Sequence, residues 1–372
     1  MANGKMRVLI AGGGSGGHVI PALAVAHELK RTSDAQIRFV GTARGMETRL
    51  VPAAGFPLEL IQVGQFNSVS LRTKIATLAR LPLGVLACMR LLRKFHPHVV
   101  FGVGGYASGP AMLAAILTGT PRVAFEPNAV PGMANRWIGK RVQAAAVNFP
   151  DTLRYFRNGQ VTGIPVRPEF FSLPSRPADA PPRLLVFGGS QGARVLNRTM
   201  PQIAANLLEA VPGLTILHQS GARHFEGTQQ AYLQSAELRE RWAGRWSVEP
   251  FLDDMPARFG EASLVLCRSG ASTVAELAAA QKPSLLVPFP RSADDHQRRN
   301  AEVFVEAKAA AMLIEADLTP ERLLTELVRL FKDTDGLAAM ARNARLLAHQ
   351  NAAASIAALI EQKQPGAPGS RS

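Results

Sequence analysis

Short apolar runs alternate with longer amphipathic stretches along the first 150 residues. Runs rich in β-branched and aliphatic residues predict strands at 7–11, 37–40, 58–61, 99–103, 122–125 and 144–147. Stretches with apolar residues spaced by three or four positions predict helices at 21–31, 47–54, 71–80, 83–95 and 109–118. Strands that alternate with helices indicate βα units and a parallel sheet.

A second α/β pattern follows a proline-rich segment at 167–183, which is typical of a linker. Strands are predicted at 183–187, 215–219, 246–250, 264–267 and 284–287, and helices at 193–210, 229–242, 255–261, 272–280, 319–332, 335–349 and 351–362. We therefore predict an α/β protein with two doubly wound Rossmann-like domains and parallel sheets that face a cleft. The expected division is 1–167 and 168–345, with a C-terminal helix at 346–363 packing back on the first domain and a disordered tail at 364–372.

The composition is rich enough in hydrophobic residues for two buried cores, and its few cysteines argue against an extracellular, disulfide-bonded protein. Hydrophobic residues make up 47% of the 372 residues, and Cys88 and Cys267 are the only cysteines. Two thiols argue against a disulfide framework and favour a reducing compartment. The first residues lack a signal-peptide pattern, and the longest apolar runs, such as 81–89, are too short to span a bilayer. The chain is expected to be soluble or peripheral.

A net charge of +14 suits nucleic acid, an anionic membrane surface or an acidic ligand. No RRM, zinc-finger or homeodomain pattern is present, so nucleic acid is not an expected partner.

A glycine-rich turn occurs twice, as RVLIAGGGSGGH at 7–18 and RLLVFGGSQGAR at 183–194. In the first copy Gly12, Gly14 and Gly17 satisfy the GxGxxG pattern between a strand and a helix. The second strand ends Phe39-Val40-Gly41-Thr42 with no acid in place for a ribose, and no Lys-Ser/Thr pair follows the last glycine, so the dinucleotide and P-loop interpretations both fail. His18 is either a helix-packing residue or a general base or ligand contact.

The second glycine-rich turn could hold a diphosphate through Ser190, backbone N–H groups and Arg194, or it could be an ordinary tight turn. Thr273 and Glu276 fit a helix capping box, and Glu276 could also accept the hydroxyls of a ribose. Asp294, Asp295 and His296 lack the spacing of a metal site. We expect no metal there and interpret that loop as solvated or sugar-contacting.

Several motifs together carry a resemblance to a known family over nearly the whole chain. They are GGGSGGHVIPALAVA (12–26), GVGGYASGPAMLAA (102–115), FEPNAVPGMANRW (125–137), GIPVR (163–167), GGSQGARVLN (188–197), HQSG (218–221), FLDDM (251–255), CRSGASTVAELAAA (267–280) and DDHQRRNA (294–301). As a set they resemble the MurG family of bacterial N-acetylglucosaminyltransferases, which form lipid II of peptidoglycan and have the GT-B fold.

The resemblance implies an inverting transfer of N-acetylglucosamine from UDP-N-acetylglucosamine to the 4-hydroxyl of the muramyl sugar in lipid I. The second domain would hold the donor and the first the acceptor, with the backbone of Leu252 on uracil and Glu276 on the ribose. The donor residues implied by similarity are Ser15, Gly16, Gly17, Asn128, Arg167, Ser190, Leu252, Ala271, Ser272, Thr273, Val274, Ala275, Glu276 and Gln297.

Two departures from the family pattern stand out. The family usually has His-Glu-Gln-Asn where this chain has Phe125-Glu126-Pro127-Asn128, so no role of that histidine or glutamine carries over. Ser15 replaces a common threonine and keeps the hydroxyl group.

An inverting transfer needs a base and a stabilised leaving group. Our candidate catalytic base is His18, with Glu126 second. Helix N-termini at the glycine-rich turns, with Ser190 and Arg167, would stabilise the leaving diphosphate, and no cofactor is expected.

Basic and apolar residues of the first half form a candidate membrane patch: Arg72, Lys74, Ile75, Leu78, Arg80, Leu81 and Lys140. An ordinary helix with a buried apolar face is the alternative. The patch and the resemblance together predict a peripheral enzyme on the cytoplasmic face of the bacterial inner membrane, with other cell-wall synthesis or division proteins as further candidate partners.

Two other functions fit parts of the sequence. A nucleotide-sugar epimerase of UDP-N-acetylglucosamine 2-epimerase type would use Ser190, Arg194 and Glu276 equally well but needs no membrane patch. A non-catalytic nucleotide-binding module on a membrane fits the composition but leaves His18 and Glu126 without a role.

Overall fold

The computed structural model describes residues 5–43, 45–62, 71–105, 107–177 and 179–364, with the backbone alone for 71–80. The chain divides into two compact units. The first unit comprises Met1–Pro165 and Asn351–Ser372, and the second comprises Val166–Gln350.

The first unit is built on a seven-stranded sheet with helices between successive strands. Its strands are β1 (Arg7–Gly12), β2 (Gln36–Gly41), β3 (Leu58–Leu60), β4 (Val99–Gly104), β5 (Arg122–Glu126), β6 (Ala144–Val147) and β7 (Gly159–Val161). Its helices are α1 (Gly16–Ser33), α2 (Glu47–Ala53), α3 (Leu71–Phe95), α4 (Ser108–Leu117), α5 (Met133–Ile138) and, at the C-terminal end of the chain, α14 (Ala352–Glu361).

Every strand pair of this sheet is parallel, in the order β3-β2-β1-β4-β5-β6-β7. The central strands β1 and β4 are buried nearly throughout, as expected when helices cover both faces. α14 packs on α1, and the Thr32 hydroxyl donates a hydrogen bond of 2.8 Å to the Glu361 carboxylate.

The second unit repeats this architecture with six parallel strands. They are β8 (Arg183–Phe187), β9 (Thr215–Gln219), β10 (Trp246–Glu249), β11 (Leu264–Cys267), β12 (Ser284–Leu286) and β13 (Ala311–Met312), in the order β10-β9-β8-β11-β12-β13. The helices are α6 (Arg194–Ala210), α7 (Phe225–Leu233), α8 (Ala236–Arg239), α9 (Met255–Glu261), α10 (Ala271–Ala279), α11 (His296–Glu306), α12 (Pro320–Lys332) and α13 (Thr334–Leu346). Two parallel, doubly wound sheets confirm the predicted α/β class.

Some predicted elements differ from the structure. The two helices predicted at 71–80 and 83–95 are one helix, α3, with Pro82 inside it. A proline removes one backbone donor and weakens a helix, but it does not end every helix that contains it. The helix predicted at 229–242 is divided into α7 and α8, because Ser235 starts a new helix by accepting a hydrogen bond from the Leu238 N–H.

The proline-rich segment after Arg167 is partly packed rather than wholly solvated. Phe170 is fully buried, and its ring meets that of Phe259 edge-on with 5.1 Å between the centroids. Through this contact the start of the second unit packs against α9.

Candidate active site

The first glycine-rich turn lies where the strand order of the first sheet reverses, between β1 and β4. Ligands of doubly wound folds bind outside the carboxyl ends of the strands at this point. Gly105 has a φ of +79°, and a Cβ atom there would lie 2.2 Å from the Gly13 carbonyl oxygen. The turns that follow β1 and β4 therefore touch, and residue 105 must be glycine for the contact to form.

His18 lies in the first turn of α1 and is half-buried beside Gly104. A Cβ atom on Gly104 would lie 2.9 Å from His18 Cε1. Ser15 caps the helix, and its carbonyl oxygen accepts the N–H groups of His18 and Val19 at 3.1 and 3.2 Å. The first turn of α1 contains no acidic side chain to offset the positive end of the helix. Ser15, Gly16, Gly17 and His18 thus lie together at the carboxyl edge of the sheet.

Glu47 is a residue of this region that the sequence did not single out. Its side chain is 1% exposed, and its carboxylate accepts the Gly14 N–H at 2.7 Å, the Thr42 N–H at 2.9 Å and the Thr42 hydroxyl at 3.0 Å. The available signal was its position shortly after β2, near where a dinucleotide-binding protein carries its ribose-binding acid. In this chain the carboxylate binds the protein's own glycine-rich turn.

Glu126 ends β5 and is buried. One carboxylate oxygen accepts the backbone and side-chain N–H groups of Asn128 at 3.0 and 3.1 Å, and the other accepts the Gly132 N–H at 3.2 Å and the Asn135 side chain at 2.9 Å. Burial raises the pKa of this carboxyl, while the hydrogen bonds, that from Asn135 first, act to lower it. Four N–H donors around one carboxylate fix the loop that carries Asn128.

The departure from the family pattern at 125 and 127 falls on buried positions. Phe125 is 1% exposed, and its ring centroid lies 6.3 Å from that of Phe101 on the neighbouring strand β4. The phenylalanine therefore serves the core of the first unit.

The second glycine-rich turn lies at the corresponding reversal of strand order in the second sheet, between β8 and β11. Gly192 has a φ of +71°, and a Cβ atom there would lie 1.8 Å from the Ser220 carbonyl oxygen. The Gln219 side chain donates to the Gly189 carbonyl oxygen at 3.1 Å. The turn is thus held against the end of β9, with Ser190 exposed at its tip.

A chain of buried hydrogen bonds ends at the Ser220 carbonyl group, which contacts Gly192 of this turn. The Asn197 amide donates to the Ser220 carbonyl oxygen at 2.8 Å, and its oxygen lies 3.1 Å from His218 Nε2. His218 Nδ1 lies 3.1 Å from the Tyr232 hydroxyl. Burial lowers the pKa of His218 to about 3, so its ring is neutral at physiological pH.

The capping box expected at Thr273 and Glu276 is wrong. Helix α10 begins at Ala271 with Gly270 as its N-cap, so Thr273 is the third helical residue and its side chain makes no capping hydrogen bond. The T-x-x-E pattern does not mark the start of the helix, because Gly270, three residues before Thr273 and in extended conformation (φ −61°, ψ 147°), is the N-cap. The Glu276 carboxylate is consequently not part of an N-terminal cap.

Glu276 lies half-buried on α10. Burial raises the pKa of its carboxyl to about 7, and the nearby guanidinium of Arg167 acts to lower it. In the same helix the Ser272 hydroxyl is buried and has no hydrogen-bond partner among the described residues. A perturbed acid beside an unsatisfied hydroxyl group is typical of a ligand site.

Gln297 lies on α11 and is tied to the loop that precedes α10. Its carbonyl oxygen accepts the Ser269 hydroxyl at 2.8 Å, and its side-chain oxygen accepts the Phe289 N–H at 3.0 Å. Leu252 is half-buried in the loop between β10 and α9. Both residues follow strands of the second sheet at its carboxyl edge, as Ser190 and α10 do.

The predicted site residues are divided between the two units. Those of the first unit are Ser15, Gly16, Gly17, His18, Glu126 and Asn128, and those of the second are Arg167, Ser190, Leu252, Ala271, Ser272, Thr273, Val274, Ala275, Glu276 and Gln297. Of the candidate membrane patch, the side chains of Arg72, Lys74, Ile75, Leu78 and Arg80 lie outside the part that the structure describes.

Among the residues that the structure describes, no group of three or more His, Cys, Asp and Glu side chains could hold a metal ion. No helix in the same ranges is long and apolar enough to cross a membrane.

Comparisons with known proteins define the family. Residues 8–147 match the glycosyltransferase family 28 N-terminal domain, and residues 183–360 match the glycosyltransferase family 28 C-terminal domain. A protein of Solibacter usitatus (strain Ellin6076) named UDP-N-acetylglucosamine--N-acetylmuramyl-(pentapeptide) pyrophosphoryl-undecaprenol N-acetylglucosamine transferase is 45% identical over 95% of each chain. The crystal structure of Acinetobacter baumannii MurG matches with a TM-score of 0.81 and 32% identity, covering 96% of this chain and 99% of that one.

The chain belongs to glycosyltransferase family 28 and, within it, to the family of MurG N-acetylglucosaminyltransferases. Its fold is GT-B, as the resemblance implied. A putative UDP-N-acetylglucosamine 2-epimerase from Listeria monocytogenes matches with a TM-score of 0.69 at 12% identity, over 98% of each chain. That likeness shows a shared fold alone, so the epimerase alternative is the less supported one.

Proposed function

We propose that this protein transfers N-acetylglucosamine from UDP-N-acetylglucosamine to the 4-hydroxyl of the N-acetylmuramyl sugar in lipid I, giving lipid II. The observation that carries the proposal is the match to transferases of this name at 45% identity over 95% of the chain. The perturbed Glu276 and the unsatisfied Ser272 hydroxyl, both on α10, support a ligand site in the second unit.

The donor binds mainly through the second unit. An ionised Glu276 accepts hydrogen bonds from the two ribose hydroxyls, and the backbone of Leu252 recognises uracil. The diphosphate lies at the second glycine-rich turn and the start of α10, where Ser190, Ser272 and backbone N–H groups donate and Arg167 supplies positive charge. The first unit contributes Ser15, Gly16, Gly17 and Asn128 to the donor site.

The reaction exchanges one C–O bond for another. The bond between the anomeric carbon and the diphosphate oxygen breaks, its electron pair leaves with UDP, and the acceptor 4-oxygen attacks from the opposite face. A base removes the proton of the attacking hydroxyl. Helix N-termini and Arg167 stabilise the negative charge that develops on the leaving diphosphate.

His18 is the proposed base. Its half-buried ring lies on the carboxyl edge of the first sheet, between the turns that follow β1 and β4. Glu126 is the second candidate for this role. Its four hydrogen bonds from N–H donors favour a different task for it, which is to hold Asn128 and the loop around it.

We also propose that the first unit lies on the cytoplasmic face of the inner membrane. Trp137 on α5 is 76% exposed, and Leu83 on α3 is 65% exposed. A cavity of about 490 Å³ in the same unit is lined by Arg122, Lys140, Arg141 and Arg157 among others. Exposed tryptophan and clustered basic residues suit the interface of an anionic leaflet.

The product of a reaction with a lipid I analogue tests the proposal. Purified protein with UDP-N-acetylglucosamine should yield a disaccharide-bearing lipid that contains one added N-acetylhexosamine by mass spectrometry. Inversion predicts a β-linkage, which NMR of the product would establish. Conversion of UDP-N-acetylglucosamine to its 2-epimer without an acceptor would instead support the epimerase.

A further inference from the structure

We propose that Glu47 is a positioning residue whose own carboxylate fills the anion site of the first glycine-rich turn. The turn is thereby fixed for catalysis and closed to the diphosphate of a nucleotide. This inference rests on the proposed function, because it assigns the two glycine-rich turns to different steps of the same transfer.

The hydrogen bonds show a turn that already binds an anion. In nucleotide-binding Rossmann domains, N–H groups of the glycine-rich turn donate to the ligand's phosphates. Here the Gly14 N–H donates to Glu47 at 2.7 Å, and the opposite carboxylate oxygen accepts the Thr42 N–H at 2.9 Å. The Met46 N–H also donates to the Gly14 carbonyl oxygen at 3.1 Å, so the start of α2 binds both the N–H and the C=O group of Gly14.

The Glu47 side chain explains why three neighbouring residues are glycine. A Cβ atom added at Gly13 would lie 2.2 Å from one carboxylate oxygen of Glu47, and one added at Gly45 would lie 1.9 Å from the other. A Cβ atom added at Gly41 would lie 2.6 Å from Glu47 Cγ. Each of these distances is well below van der Waals contact, so a side chain at any of the three positions would displace Glu47. The glycine-rich sequence therefore accommodates an internal carboxylate.

The first glycine-rich turn positions two residues of the proposed site. It leads directly into Ser15, which caps α1, and into His18 in the first turn of that helix. A second anion at Gly14 would meet a donor that is already used and a buried negative charge. The donor diphosphate is therefore left to the second turn, while Glu47 keeps His18 in place before any ligand binds.

Two variants test the role, with Glu59→Gln as the matched control. Glu59 lies on β3 in the same unit and forms a half-exposed ion pair with Arg38. In Glu47→Gln a side-chain NH₂ replaces one of the two oxygens, so the amide can no longer accept from both Gly14 and Thr42. Glu47→Ala removes the carboxylate and opens a space into which formate can bind.

We expect Glu47→Gln to lower kcat at least about tenfold, because misplacement of a reacting group by about 1 Å costs up to a hundredfold. The KM for UDP-N-acetylglucosamine should change less than kcat, since the proposed contacts to uracil, ribose and diphosphate lie on the second unit and only those of Ser15, Gly16 and Gly17 follow the turn. Formate should restore part of the kcat of Glu47→Ala, which a purely structural role of the side chain would not predict. Amide hydrogen exchange across residues 12–18 should be faster in Glu47→Gln than in Glu59→Gln.

An unchanged kcat in a folded Glu47→Gln protein would overturn the proposal, as would a loss confined to donor KM. Unchanged hydrogen exchange at 12–18 would overturn it without reference to activity. If the wild-type protein transferred no sugar while Glu47→Gln accelerated this exchange, the proposed function would fail and the fixing of the turn by Glu47 would stand.

Discussion

Burial raises the pKa of the Glu276 carboxyl to about 7, and the guanidinium of Arg167 opposes that shift. Ionised Glu276 is the form that accepts hydrogen bonds from ribose hydroxyls. We therefore expect the affinity for UDP-N-acetylglucosamine to rise between pH 6 and 8, a window set by that pKa of about 7. Isothermal titration calorimetry across this range measures the effect.

Glu276→Gln should remove this pH dependence and weaken donor binding by about 1.5–3 kcal/mol, the worth of hydrogen bonds to a charged group. The same variant should melt at a higher temperature than the wild type at pH 8. A carboxyl with a raised folded pKa stabilises the fold when protonated and loses that stability as the pH rises through about 7. Binding by Glu276→Gln that still follows the wild-type pH profile would exclude Glu276 as the titrating group.

The assignment of His18 as the base gives a second prediction. His18→Ala should lower kcat by about a hundredfold or more, the usual contribution of general base catalysis, while donor affinity is retained. His27→Ala is the matched control, because His27 lies on the same helix but is exposed and packs against Phe56. Near-normal turnover of His18→Ala would show that another group takes the proton.

The buried chain behind the second glycine-rich turn predicts coupled losses of stability and donor binding. Asn197→Ala leaves the Ser220 carbonyl oxygen and His218 without their partner, which should cost about 1–3 kcal/mol of unfolding free energy. Donor KM should also rise, because Ser220 contacts Gly192. Asn343→Ala, which removes an exposed hydrogen bond of 3.1 Å to the Lys308 carbonyl oxygen, should cost much less in urea denaturation. Equal costs for the two variants would contradict this account.

The proposed membrane association gives a prediction for the basic residues of the first unit. Replacing Arg72, Lys74 and Arg80 by glutamine should weaken binding to phosphatidylglycerol vesicles by roughly a hundredfold, at about 1 kcal/mol per charge. The control is the same change at Arg241, Arg322 and Arg329, three exposed arginines of the second unit. Co-sedimentation with anionic and zwitterionic vesicles at several salt concentrations gives the comparison. Binding indifferent to salt and to anionic lipid would refute the patch.

The sequence predicted those parts of the fold that depend on local pattern. Strands such as β8 and β11 were predicted with their observed bounds, because continuous apolar runs between turn residues are typical of buried parallel strands. Short or mixed elements such as β13 and α5 were missed, because two to six residues are too few to show a period.

The site was only partly predictable, because its supporting contacts join residues far apart in the chain. Glu47 and Gly14 are 33 positions apart, and His218 meets Asn197 across 21. A motif shows that a turn needs glycine, but it does not show which side chain the glycines accommodate. At α10 a local motif was present but did not mark a cap, because Thr273 and Glu276 match the capping-box pattern yet both lie inside the helix rather than at its start.

Release of UDP from UDP-N-acetylglucosamine, measured with and without a lipid I analogue, tests the central claim most directly. The account predicts UDP release that depends on the acceptor and matches the lipid product one to one. Release that is equally fast without acceptor, or none in its presence, would contradict the assignment of this chain as a lipid II-forming transferase.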